Sequence, residues 1–410
     1  MISLPVDIPQ NIDYSQVGWL DDPSLFVRWR DPISGVESFI LKATVAPFQQ
    51  SFYYVNPSLS QNGRYYWFYC AFPPASARTL AVVDFVDGTL RHFPESQFIE
   101  ASPCVDEYTG AVYWSNEKGI WTLSPVVGSR PELVNRFAPD FQGNRTVYRY
   151  ATHHTISPDR KALNIDAEVG NDLYLGHAPL NGDPIIIWQT LEPGFNHAQF
   201  NPVDGDLQLV AQDHYMDRAT WKIRFYEIRL WLIRKGGVLH PVYPEKSKED
   251  YQASLHSGHH LIPESRRITD CRNMHGHEWW GRDGKHIWYM HYGRGVERLK
   301  LGATTPELVW PNTTMSHAHA DQRDLFLTAD VIPTDDPYNR HVVFRNLATE
   351  KTIEIVSHMP EVPDFLRTYH VHPHPQFCFG DSLICYTTLV LGKVDVAFVR
   401  VADLIERTKN

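Results

Sequence analysis

No stretch of about 18 consecutive apolar residues occurs in this chain of 410 residues, which excludes a membrane-spanning helix. Cysteine is scarce and scattered: Cys70, Cys104, Cys271, Cys378 and Cys385 form no C-x-x-C pair and are odd in number. That excludes a disulfide framework and points to a reducing compartment. Lysine and arginine never gather into a block, and the net charge is -10, so a footprint for nucleic-acid phosphates is absent. Helical periodicity is rare, confined to "EKSKEDYQASLHS" and the terminal "VADLIERTKN". The opening "MISLPVDIPQNIDYSQVGW" has no basic stretch leading into a long apolar run. The expectation is a cytoplasmic protein, or a periplasmic or secreted one if a signal has been removed.

What the chain has in abundance is aromatic and β-branched residues. It holds 12 Trp, 20 Tyr and 20 Phe, and 21 His against 38 Lys and Arg together. A composition 43% hydrophobic and 21% charged is that of a globular protein with a large core. Short runs such as "GRYYWFYCAF", "DLQLVAQD", "HIWYMHY" and "SLICYTT", bounded by Gly, Asp, Asn and Pro, read as strands. They recur in units with a polar approach, a turn and an apolar strand: "NPSLSQNGRYYWFYC", "HHTISPDRKALNI", "HAQFNPVDGDLQLVA", "HEWWGRDGKHIWYM", "HAHADQRDLFLTA" and "HPHPQFCFGDSLICYTT". "ASPCVDEYTGAVYW" is a looser seventh. Each is followed by a further strand pair such as "RHVVFRNLATEKTIEIV", and a period of very roughly forty residues with four strands is a β-propeller blade.

The chain is therefore all-β, a single seven-bladed propeller domain over residues 1–410. The last blade has only about three strands of its own. "RWRDPISGVESFILKATV", at residues 28–45, has the form of an orphan half-blade, and the strand near 38–45 is expected to complete the last blade and remove its edge. Residues 244–275 are too long for a turn and read as an insertion between blades.

"YHVHPHPQF" places His370, His372 and His374 at a spacing of two. In an extended segment such residues share a face, and the prolines keep the segment out of a sheet centre. Neutral imidazole is a common ligand for divalent metals. Similar places in other units hold His153 and His154, His197, His275 and His277, and His317 and His319. Taken singly, each is as well explained by a local turn or polar niche. Five consecutive blades with imidazole at one phase point instead to a common rim of the channel.

The segments "HAQFNPVDGDLQLVAQDH", "IRLWLIRKGG", "HGHEWWGRDGKHIWY", "HAHADQRDLFLTAD" and "HPHPQF", with the early "QQSFYYVNP" and "RDPISG", resemble the oligogalacturonate lyase family, in order from about residue 28 to the end. The resemblance implies a seven-bladed propeller that cleaves uronate oligosaccharides by β-elimination around a divalent ion, Mn2+ with Ca2+ or Zn2+ as alternatives. Matched by motif, it assigns His319, His372 and His374 as metal ligands. Tyr369 stands where the family has a ligating glutamine, with His370 as a substitute donor. It assigns His277 as the base and Arg229 as the partner of the substrate carboxylate. His154, His197, His214 and His275 become substrate-binding candidates, and the partner is an acidic oligosaccharide, with neither nucleic acid nor membrane.

The residue types suit that chemistry. Removing the proton on C5 of a uronate needs positive charge on the neighbouring carboxylate and a base near C5. A divalent ion, an arginine fork and a neutral histidine supply these. Plainer readings exist: Arg229 as a stacking arginine, His277 and Glu278 as a structural pair, and Trp279 and Trp280 as blade packing. Other uronate glycans, ulvan-like or rhamnose-linked, would suit the same chemistry. A non-catalytic propeller with a structural metal that binds a glycan or protein is the alternative from another class.

Overall fold

The computed structural model describes residues 12–98, 100, 102–218, 220–224, 228–242, 275–332, 340–361, 369 and 371–409. Its strands form one five-stranded and six four-stranded antiparallel sheets, with a small hairpin at Tyr215–Asp217 and Lys222–Arg224. The architecture is a seven-bladed β-propeller. The insertion expected at 244–275 falls outside the described residues except for His275, and so does the first helical candidate. The second is the helix Val401–Thr408.

The chain divides into two compact units. The first comprises residues up to 114, 122–132 and 316–410. One of its blades runs through Phe48–Gln50, Tyr65–Ala71, Arg78–Asp84 and Thr89–Phe98. Another runs through Met315–Ala320, Phe326–Val331, His341–Asn346 and Thr352–Val356. The last has Gln376–Cys378, Leu383–Thr388 and Asp395–Arg400 from the C-terminal region. Glu37–Leu41 completes it, pairing Phe39 with Phe398 and Ile40 with Ala397, and Phe26–Arg30 adds a fifth strand. The closing strand is thus the expected one, shorter at its C-terminal end. Its hairpin turn is held by Asp31, whose Oδ1 accepts the N–H groups of Ile33 and Ser34. Asp31 Oδ2 accepts both Ser357 N–H and Oγ–H, tying the turn to the preceding blade.

The second unit comprises residues 115–121 and 133–315. Its blades are Val147–Leu191, Phe195–Pro241 and His275–Pro311, each of four strands in chain order. The remaining sheet runs from Cys104 to Asn135.

Why these runs are continuous rather than alternating follows from burial on both faces. All eight residues of Ala162–Val169 are buried, and so are the last six of Tyr65–Ala71. The repeated polar turns do a defined job. Asn201 Oδ1 accepts the N–H groups of Val203 and Asp204, Asp283 Oδ1 those of Lys285 and His286, and Asp321 Oδ1 those of Leu325 and Phe326. Each caps the turn between a blade's first two strands and so sets where the first strand ends. Trp279 stacks on Trp288 at 5.8 Å, and Trp280 is buried as well, so both serve blade packing.

Candidate functional site

In the first unit, His317 lies on the inner strand Met315–Ala320, and His372 and His374 lie in the irregular run that enters Gln376–Cys378. Their donor atoms are all within 4.8 Å of one another. Ring centroids are 4.4 Å apart for His317 and His374, 5.4 Å for His317 and His372, and 5.5 Å for His372 and His374. Asp330, fully buried on the neighbouring strand, faces His317 Nδ1 at 2.9 Å and accepts the His317 backbone N–H at 2.7 Å. With Nδ1–H donated to a carboxylate, Nε2 keeps its lone pair for an ion, the usual second layer of a metal-binding histidine. Arg340 lies 3.9 Å from the same carboxylate. Burial, with Arg340, His317 and His374 adding to it, holds the His372 pKa well below the usual imidazole value. His372 is therefore neutral at pH 7, the form that coordinates. His374 has φ 44°, and Tyr53 and Tyr54 flank the group. Non-glycine residues held in this region of φ concentrate at functional sites.

Three imidazoles, one backed by a carboxylate, suit a borderline divalent ion better than calcium, which takes oxygen donors. His319 was expected in this set and His317 was not. The structure gives His317 that place. His319 is two residues further along the strand, a displacement of about 6.6 Å, and its Nδ1 accepts the Phe377 N–H at 3.1 Å. Tyr369 is buried, its hydroxyl donates to the Ala75 carbonyl, and its own carbonyl accepts from Arg78, so it is a packing residue rather than a stand-in for glutamine. His370 is outside the described residues.

In the second unit, two inner strands carry matched irregularities. The register shifts between Asn196 and Gln199 in one blade and between Gly276 and Trp279 in the next. Each bulge contains a histidine at positive φ, His197 at 52° and His277 at 48°. Bulges re-aim side chains beside functional sites. Gln199 Nε2 donates to the Glu278 carbonyl at 2.8 Å, which ties the two bulges together. The Glu278 carboxylate is fully buried, 4.0 Å from His197 Nδ1 and 3.9 Å from Arg229 Nε. Burial pushes its pKa up, with Arg229 opposing. Arg229 also pairs with Asp213, and Asp213 accepts from Asn196 Nδ2 at 2.7 Å.

Burial lowers the His197 pKa well below its usual value, with His153, Arg229, His277 and Arg149 adding to it. His153 is 5.1 Å from His197 ring to ring, and burial takes its pKa down to about 3. His154 donates Nδ1–H to the Asn164 carbonyl at 3.1 Å and is lowered to about 4, again by burial. These two are neutral core imidazoles. His214 is half-buried, next to Asp213.

His277 differs from these. It is half-buried, and its Nδ1 is 3.0 Å from the Tyr292 hydroxyl. A Cβ on Gly276 would stand 2.6 Å from that hydroxyl, so only glycine leaves Tyr292 room to reach His277. His275, two residues earlier, has other neighbours: the rings of Tyr289 and His291 at 5.0 and 4.7 Å.

No protein-family model matches the sequence, and no curated protein matches it. Among solved structures, an oligogalacturonate lyase in complex with manganese superposes with a TM-score of 0.67 at 14% identity, over 92% of this chain and 96% of that one. An oligogalacturonate lyase from Vibrio parahaemolyticus gives 0.68 at 14% identity over the same shares. The resemblance to oligogalacturonate lyases holds in three dimensions. At this identity it establishes the fold. A β-propeller domain from Myceliophteria thermophila also superposes, at 0.51 and 8% identity over 87% of this chain and 99% of that one, a likeness of fold.

Sequence reasoning missed Asp330, Tyr292 and Asp213. A signal for two of them exists. The second strand of several blades carries an aspartate at or just past its end, in "LVAQD" and "LTAD", where it can reach back to the first strand. In "LNID" Asp166, in the middle of its strand, likewise accepts the N–H groups of Thr152 and Ala198.

Proposed function

We propose that this chain is a lyase that cleaves uronic-acid-containing oligosaccharides by metal-assisted β-elimination, leaving a 4,5-unsaturated uronate at the new end. The observation that carries the reading is the His317, His372 and His374 group with Asp330 behind it, on the fold shared with oligogalacturonate lyases. His317, His372 and His374 would hold a divalent ion, Mn2+ by analogy with the manganese-bound neighbour, and it would supply Lewis acidity toward a carboxylate.

The chain's own residues do the rest. His277 is the base: with Nδ1–H donated to Tyr292, Nε2 takes the C5 proton. The C5–H electron pair becomes the C4–C5 double bond, the C4–O bond breaks, and the leaving oxygen takes a proton from water. His197, another histidine in a bulge, is too strongly shifted toward the neutral form to hold a proton well, because burial disfavours its charged form, with His153, Arg229, His277 and Arg149 adding to it. Arg229, positioned by Asp213 and Glu278, supplies positive charge for the substrate carboxylate.

The test is a panel of acidic oligosaccharides: oligogalacturonate, ulvan-type and rhamnose-linked glucuronate chains. Elimination is followed by near-ultraviolet absorbance of the unsaturated product. Product from one member, lost in His277→Ala and in His317→Ala, supports the reading. Binding without product on every member would leave a glycan-binding propeller and end the lyase reading.

A further inference from the structure

The proposed elimination leaves one group of metal-type donors in the second unit unused. His275 opens the inner strand His275–Trp280, His291 closes the strand His286–His291, and Glu297 lies on Gly295–Lys300. Pairing places His275 directly opposite His291, while Glu297 lies opposite Tyr289. The donor atoms of the three lie within 4.8 Å of one another, and the residues are only 7%, 3% and 1% exposed. The sheet pairing brings the three together, since they are spread over 23 residues of chain.

The two oxygens of Glu297 have different surroundings. Oε2 accepts the Tyr289 hydroxyl at 2.7 Å, which fixes the carboxylate plane. Oε1 faces His291 Nδ1 at 3.0 Å, with Arg294 Nη1 at 3.4 Å. Donors on a tetrahedral ion with bonds of 2.0–2.1 Å stand about 3.3 Å apart, so the His291–Glu297 spacing is already close to that of two co-ligands. The His275 ring is edge-on to His291, with its donor atom within 4.8 Å of the other two. Arg294 competes for Oε1, but its side chain is 55% exposed and can turn to solvent.

We propose that His275, His291 and Glu297 form a second divalent-cation site. Two imidazoles and one carboxylate select a zinc-type ion over calcium or magnesium. Ion entry displaces the His291 Nδ1 proton to solvent, and the ion takes its place between nitrogen and Oε1. A site closed from solvent on all three ligands is structural rather than catalytic, and this one pins three successive strands of a blade.

The experiment uses the full chain, stripped with a chelator and then dialysed against Zn2+ alone. Bound ions are counted by mass spectrometry of the elements in wild type, His317→Ala, His291→Ala and the double variant. The expected counts are two, one, one and none. The His317→Ala chain should also melt at lower temperature once stripped, whereas the double variant should not respond. A His317→Ala chain that retains no zinc overturns the proposal, as does a His291→Ala chain with the wild-type count, and the group is then a hydrogen-bonded network only. If circular dichroism shows that His291→Ala misfolds, Glu297→Gln, equal in size, carries the same comparison. The counts do not depend on turnover, so the lyase reading can fail while this site stands, and the reverse.

Discussion

The two histidine groups differ in where the carboxylate stands. Around His317, His372 and His374 it stands behind the donors, as Asp330 on His317 Nδ1. Around His275 and His291 it stands among them, as Glu297. The first set is all imidazole and leaves an ion its full positive charge, and two of its members are only half-buried. The second would neutralise part of that charge and shuts its ligands away. An ion meant to polarise a substrate needs charge and an open side; one meant to hold strands together needs neither. On the proposed readings, the positions of one aspartate and one glutamate thus distinguish a centre suited to polarise a substrate from one suited to hold strands.

The largest expected effect lies outside both groups, at the proposed base. His277→Ala should lower turnover by about 100- to 10,000-fold, the usual cost of a lost general base, with the metal count unchanged. Steady-state kinetics on the accepted oligouronate and a metal assay check it. A loss confined to KM would make His277 a binding residue. Next is Asp330→Asn, which keeps the shape but removes the charge behind His317. Metal affinity at that centre should fall by about 10- to 100-fold, measured by titration, because the ligand loses its anionic anchor. Glu297→Gln should leave that affinity alone, and equal effects would erase the distinction between the groups.

A third prediction concerns pH. His153 and His154 have pKa values of about 3 and about 4 when folded, against about 6.5 in an unfolded chain. The unfolded state therefore binds more protons below pH 6.5. Stability is fully present above that value and is lost as pH falls toward 4 and then 3, by on the order of a few kcal/mol. Denaturant melts at pH 7 and pH 4 measure it, and His153→Phe should narrow the difference. The smallest effect sharpens the assignment of ligands. His319→Ala should leave the metal count intact where His317→Ala lowers it, and elemental analysis of the two separates them.

How much of this was legible follows from the range of the forces involved. The blades were, because a strand buried on both faces needs a continuous apolar run and a polar turn at each end, and both are local. The closing strand was, because an orphan hairpin at 28–45 and a short last blade are visible without coordinates. The recurrence of histidine in the approach to the turn is visible in the same way, since it needs only the order of residues. What the chain itself determined is therefore the repeat, its closure and which blades carry imidazole. The choice between His317 and His319 was not local. Both lie on one strand two residues apart, and only the approach of His372, His374 and Asp330 shows which ring joins the cluster. His275 and His277 have the same spacing, yet a bulge and the space left by Gly276 send them to His291 and to Tyr292. Tertiary structure decided these pairings, because donor sets form between strands and are set by distances of a few ångströms that sequence spacing does not encode.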